Sequence, residues 1–100
     1  MADQKKPTIP LFHLNGSSGD ALIEGYMDAH GAVNEALDKL AAASPNARDY
    51  YPLGPGVWEK AVQEHDVRME KLREVAREVA QVVDAIDAQR AAIEDQKRGR

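Results

Sequence analysis

Apolar residues recur at alternating intervals of three and four positions along two long segments of the chain. The first segment spans residues 20–43, and its apolar positions are Leu22, Tyr26, Ala29, Val33, Ala36, Leu40 and Ala43. The second spans residues 57–95, with Trp58, Val62, His65, Met69, Leu72, Ala76, Val79, Val83, Ile86, Arg90 and Ile93 at the same spacing. Heptad spacing of this kind is typical of helices that pack along one face. We therefore predict two long amphipathic helices.

The segments between and around these helices are rich in residues that end helices. Residues 44–56 hold three prolines and two glycines, which predicts a loop and an antiparallel hairpin. Residues 1–8 are predicted to be a flexible arm, and residues 96–100 a basic tail. Ser17, followed three positions later by Asp20, is predicted to start the first helix. The whole chain, residues 1–100, is thus expected to be one all-α domain.

The two predicted helices differ in length, so part of the second is expected to lack a partner. At 1.5 Å per residue the second helix overhangs by roughly 20 Å. We expect this overhang to carry uncovered apolar side chains, namely Val82, Val83, Ile86 and Ile93. Either the apolar stretch at residues 9–14 or a second copy of the chain would cover them. The sequence therefore favours a homo-oligomeric helical bundle.

Composition and charge exclude several classes of protein. The formal net charge is −4, and the basic residues near the end, Lys97, Arg98 and Arg100, suit a helix C-terminus, so nucleic-acid binding is not expected. The chain has no cysteine, which excludes disulfides and thiolate metal sites. No apolar run reaches the length of a signal peptide or a membrane span. We expect no membrane association and a location in the cytoplasm of the cell that makes the protein.

A first candidate binding cluster precedes the first helix and consists of His13, Asn15, Ser17 and Ser18. Backbone amides at a helix N-terminus, with glycine and serine before them, are suited to binding an anion. The same residues are equally typical of helix capping and turn formation. Both interpretations stay open on the sequence.

A second candidate cluster lies in the loop and contains Arg48, Asp49, Tyr50 and Tyr51. Adjacent tyrosines can stack on a planar ring while arginine pairs with a phosphate. Alternatively, the tyrosines close the hairpin end against Trp58, which we expect to be a core residue. Arg68, on the second helix, is an additional candidate for ligand contact.

Catalytic motifs are lacking in the sequence. There is no nucleophile elbow, P-loop, dinucleotide-binding glycine motif or paired-histidine metal motif. His13, His30 and His65 show no metal-ligand spacing, and the latter two fall on apolar helix faces. We expect neither an enzyme nor a bound cofactor or metal.

Three sequence blocks carry a resemblance to known proteins. Residues 13–16 (HLNG), 45–52 (PNARDYYP) and 64–68 (EHDVR) resemble a group of small helical proteins of tailed phages and prophages. In size and hairpin form the chain is also similar to the phage sponges that counter CBASS and Thoeris immunity. That similarity implies an oligomer that sequesters a cyclic nucleotide or an ADP-ribose-type signal. It transfers no site residue, because their ligand-binding motifs do not match this chain.

Two functional hypotheses follow. The first is a phage-type, non-enzymatic protein that sequesters a small nucleotide-derived immune signal with His13, Asn15, Ser17, Arg48, Tyr50, Tyr51 and Arg68. The second is a protein–protein interaction module that docks a host or virion protein through the apolar seam of the second helix. The second hypothesis predicts that Val83, Ile86 and Ile93 are exposed in the isolated chain.

Overall fold

The computed structural model describes residues 6–11, 16 and 18–98, and two long helices account for most of them. Helix α1 spans Gly19–Ala42 and helix α2 spans Val57–Arg98. The loop between them contains two short 3₁₀ helices, Ala47–Asp49 and Tyr51–Leu53, which the sequence did not predict. No strand occurs in the described part of the chain. The all-helical hairpin is therefore confirmed.

Two contacts at opposite ends show that the helices run antiparallel. Asp20, in the first turn of α1, forms an ion pair with Arg90 near the end of α2. At the other end, the indole Nε1 of Trp58 donates a hydrogen bond of 3.2 Å to the carbonyl of Pro45. Arg90 also pairs with Asp87 at 2.7 Å. The hydrogen bonds to Asp87 and Asp20 raise the pKa of the Arg90 guanidinium above its ordinary value.

Helix α1 starts with a side-chain cap. The hydroxyl of Ser18 accepts a hydrogen bond of 3.1 Å from the backbone N–H of Ala21, and Asp20 lies in the first turn. A serine N-cap satisfies an amide that the helix itself leaves unpaired. The N-cap residue is therefore Ser18, one position after the predicted Ser17. Ser17 itself lies outside the described residues.

The predicted length of the overhang at the C-terminal end of α2, roughly 20 Å, is too large. Because Asp20 lies opposite Arg90, only residues 91–98 extend beyond α1, which is about 12 Å of helix. Ile86 is fully buried and Val82 is 6% exposed, although both were expected to be uncovered. Met27 and His30 of α1 line one cavity with Ala80, Val83 and Asp84 of α2, which gives the same register between the helices. The first turns of α2 are therefore occupied by the loop, and α1 lies beside later turns.

The N-terminal segment contributes to this burial on its own chain. The side-chain amide of Gln89 donates a hydrogen bond of 3.1 Å to the carbonyl of Pro10. Ile9 and Pro10 are both half-buried, whereas Leu11 is exposed. The arm at Lys6–Leu11 thus packs near the end of α2, which is one of the two arrangements that the sequence left open.

The core of the single chain is small. Among the described residues, the buried hydrophobic side chains are Ala76, Val82 and Ile86, and the buried polar side chain is His65. Part of the face predicted for α1 is uncovered, since Ala29, Ala36 and the C-cap residue Ala43 are exposed. One partner helix covers only part of so broad an apolar face. The hairpin therefore has apolar surface left for further packing.

Candidate ligand-binding site

Hydrogen bonds and two glycines with positive φ define the conformation of the loop between the helices. The side chain of Asn46 caps the first 3₁₀ helix by accepting a 3.1 Å hydrogen bond from the backbone N–H of Arg48. Gly54 and Gly56 have φ values of 113° and 82°. Residues other than glycine rarely have φ values in this region, so both turns require glycine. Prolines at 52 and 55 restrict the same stretch further.

This loop and the first turn of α2 enclose an open cleft of about 270 Å³. Its lining residues are Ala47, Tyr51, Gly54, Pro55, Gly56, Trp58 and Glu59. Tyr51 is 74% exposed and Trp58 is 36% exposed, so both aromatic rings are accessible to a ligand. Because the Trp58 indole N–H is bonded to Pro45, the orientation of this ring is set before any ligand binds.

The structure separates the residues that the sequence singled out. Tyr51 lines the cleft, Arg48 is exposed on the same loop, and Tyr50 is half-buried. Arg68 is exposed on α2, about 15 Å along the helix axis from Trp58, and does not belong to the cleft. His13, Asn15 and Ser17 lie outside the described residues.

Sequence reasoning missed two residues of the cleft. Trp58 was expected to be a core residue, yet its ring is partly exposed and lines the cleft. Glu59 was not considered at all. The signal that pointed to both was the run Gly54-Pro55-Gly56 directly before α2, since a tight turn there places the first helical side chains at the surface.

A larger open cleft, of about 400 Å³, is lined by Glu74, Arg77, Glu78 and Gln81 on α2. An apolar cavity of about 160 Å³ between the helices is lined by Met27, His30, Ala80, Val83 and Asp84. His30 is already hydrogen-bonded through Nδ1 to Asn34 at 3.3 Å. The outer surface of α2 carries an ion-pair cluster in which Glu70 contacts Arg77 at 2.7 Å and Arg73 at 3.4 Å. The hydrogen bond from Arg77 contributes most to lowering the pKa of Glu70.

Two kinds of feature are absent from the described residues. No group of three or more histidine, cysteine, aspartate or glutamate side chains is arranged to hold a metal ion. No helix in residues 18–98 is long and apolar enough to cross a membrane.

Comparison of the chain with protein-family models, curated proteins and solved structures gives no match. The resemblance to phage proteins therefore remains a hypothesis from the sequence blocks.

Proposed function

We propose that the chain is a homo-oligomeric, non-enzymatic binding protein that captures a small nucleotide-like ligand at the hairpin end. The observation that carries this proposal is the cleft in which the exposed rings of Tyr51 and Trp58 lie on a braced loop. Binding without conversion follows from the lack of catalytic motifs in the sequence. The resemblance to phage proteins makes an immune signal in the cytoplasm of a bacterial host the leading ligand class.

Aromatic side chains at the cleft favour a ligand with a planar ring. Tyrosine and tryptophan stack on such rings and lose little conformational entropy in doing so. Pro52, Pro55 and the Trp58 hydrogen bond restrict this loop before a ligand binds, so that the loop itself also loses little conformational entropy on binding. Arg48 is exposed on the same loop, next in sequence to the lining residue Ala47, and would pair with a phosphate outside the cleft.

We expect variants of this loop to lose affinity. Arg48→Ala and Tyr51→Ala should each weaken binding of the best of two probes, ADP-ribose or a cyclic dinucleotide, about tenfold. Quenching of Trp58 fluorescence measures this directly, since Trp58 is the only tryptophan. Arg73→Ala is the matched control, because Arg73 contacts Glu70 on the outer surface of α2. Unchanged affinity in both loop variants, with the fold intact, would exclude this loop as the site.

Self-association is supported by the surface area and shape of the single chain. The chain exposes 7555 Å², whereas a compact folded protein of this mass exposes roughly 5,600 Å². Its radius of gyration is 20.2 Å, against about 13 Å for a compact domain of this length. The excess area is of the size that stable homodimers bury. A second copy packed along the hairpin would remove it.

Native mass spectrometry is expected to show a closed oligomer at micromolar concentration. Extra mass in the nucleotide range, released on denaturation, would also identify the ligand class. A monomer at all concentrations, confirmed by sedimentation equilibrium, would contradict the proposed oligomer while leaving the cleft proposal open to the fluorescence test.

A protein partner is the second candidate, favoured by exposed apolar side chains. Leu53 is 68% exposed beside Tyr51, and Val67 is 55% exposed on α2. Docking through the apolar seam of α2 predicts that Ile86 is exposed, and that prediction is wrong, since Ile86 is fully buried. The interaction surface would instead be the hairpin end. This candidate becomes the better one if no nucleotide quenches Trp58.

A further inference from the structure

The charges around the cleft differ from those expected for a phosphate site. Among the lining residues described above, Glu59 is the one that carries a charge, and it is an acid. Arg48 is on the loop but does not line the cleft. The indole N–H of Trp58 is engaged by the Pro45 carbonyl and cannot be donated to an anion as well. A phosphate inside the cleft would therefore meet a carboxylate.

The same lining suits a cation. The faces of tyrosine and tryptophan rings carry negative electrostatic potential and attract a positive charge placed over them. A carboxylate at the same site adds a Coulombic attraction. Tyr51, Trp58 and Glu59 provide both interactions around the open cleft of about 270 Å³.

We infer that the cleft selects a planar, positively charged ring, such as a pyridinium or an N-alkylated purine. The inference rests on the proposed function and specifies its ligand class: a nucleotide whose ring is cationic, with its phosphates outside the cleft toward Arg48. The ring stacks on Tyr51 and Trp58, and the Glu59 carboxylate neutralises its charge. A neutral ring of the same shape keeps the stacking but loses the electrostatic attraction.

The test compares rings that differ mainly in charge. Trp58 quenching is measured with 1-methylnicotinamide against nicotinamide, and with 7-methylguanosine, below the pKa of its ring, against guanosine. Each cation should bind about tenfold more tightly than its neutral counterpart. Free N-acetyltryptophanamide under the same conditions corrects for collisional quenching.

Glu59→Gln tests the role of the carboxylate. This substitution should lower the affinity for both cations severalfold, toward that of the neutral rings, and leave nicotinamide and guanosine unchanged, since only the attraction to the two aromatic rings remains. Glu64→Gln, also exposed on α2 but outside the cleft, is the matched control and should change nothing. Both glutamates are exposed, so neither substitution is expected to alter the helical content seen by circular dichroism.

The outcomes separate this inference from the proposed function. Equal affinity for charged and neutral rings, or a Glu59→Gln variant that keeps its full preference for cations, overturns the inference and leaves nucleotide capture standing. Absence of saturable quenching by every ring and every nucleotide overturns both. Two results together support both: the Glu59→Gln variant loses much of its preference for cations, and the Tyr51→Leu variant binds charged and neutral rings more weakly.

Discussion

Replacement of Ile86 by alanine is expected to lower the free energy of unfolding by about 2–5 kcal/mol. Ile86 is the one described large side chain with no exposed surface. Alanine at this position leaves a cavity in a core that contains few other apolar side chains. Urea denaturation followed by far-UV circular dichroism measures the loss.

Val67→Ala provides the matched control for Ile86. Val67 is 55% exposed on the same helix, and alanine has the higher helix propensity, so its stability should change by less than about 0.5 kcal/mol. A native protein has only about 5–15 kcal/mol of stability, so the Ile86 variant should be visibly destabilised. Equal effects of the two substitutions would mean that Ile86 is not part of a packed core.

Replacement of His65 by leucine is expected to have the opposite sign and to raise stability by about 1–2 kcal/mol. His65 is 6% exposed, and its Nε2 has no hydrogen-bond partner among the described residues. A buried polar atom without a partner has lost its hydrogen bonds to water and gained none in return. Leucine has a similar volume and no polar atom. Thermal and urea unfolding of the two proteins measure the difference.

His30→Leu distinguishes burial without a partner from any general effect of removing histidine. His30 is half-buried and hydrogen-bonded to Asn34, so its replacement should give no gain in stability. If His65→Leu were instead destabilising by more than about 1 kcal/mol, Nε2 would have to be hydrogen-bonded in the assembled protein.

The helices could be predicted because local signals are strong along most of the chain. Spacing of apolar residues placed α2 at Val57 and α1 within one residue of Gly19–Ala42. Three prolines in the loop excluded a single continuous helix. Such signals depend on residues that are close in sequence. They predict where each helix begins and ends, but not the register in which two helices pack.

The register between the helices could not be predicted for that reason. The sequence suggested that the helices begin side by side at the loop, which left Val82 and Ile86 uncovered. In the structure, loop residues pack on the first turns of α2 and move α1 toward Arg90. How much of a helix a loop covers depends on tertiary contacts such as that between Trp58 and Pro45, which no periodicity encodes.

Of the candidate site, only the position of the loop could be predicted, because segments rich in proline and glycine lie at the surface. Tyr51 in this loop is exposed. Trp58 was taken for a core residue since large aromatics at heptad positions are usually buried. Its position in the first turn of α2, with only a loop beside it, explains its exposure. The remaining candidates, His13, Asn15 and Ser17, are not tested by the described residues.

The hairpin has contacts of very different reach along the chain, and this bears on the order in which it assembles. The Trp58–Pro45 hydrogen bond joins residues 13 positions apart, whereas the Gln89–Pro10 bond joins residues 79 apart. In an otherwise unfolded chain, closing the longer loop costs about 1.6 kcal/mol more in chain entropy. Contacts between the two helices should therefore form first near the loop and then progressively toward the termini. Amide hydrogens near the arm would then exchange with solvent well before those beside the loop.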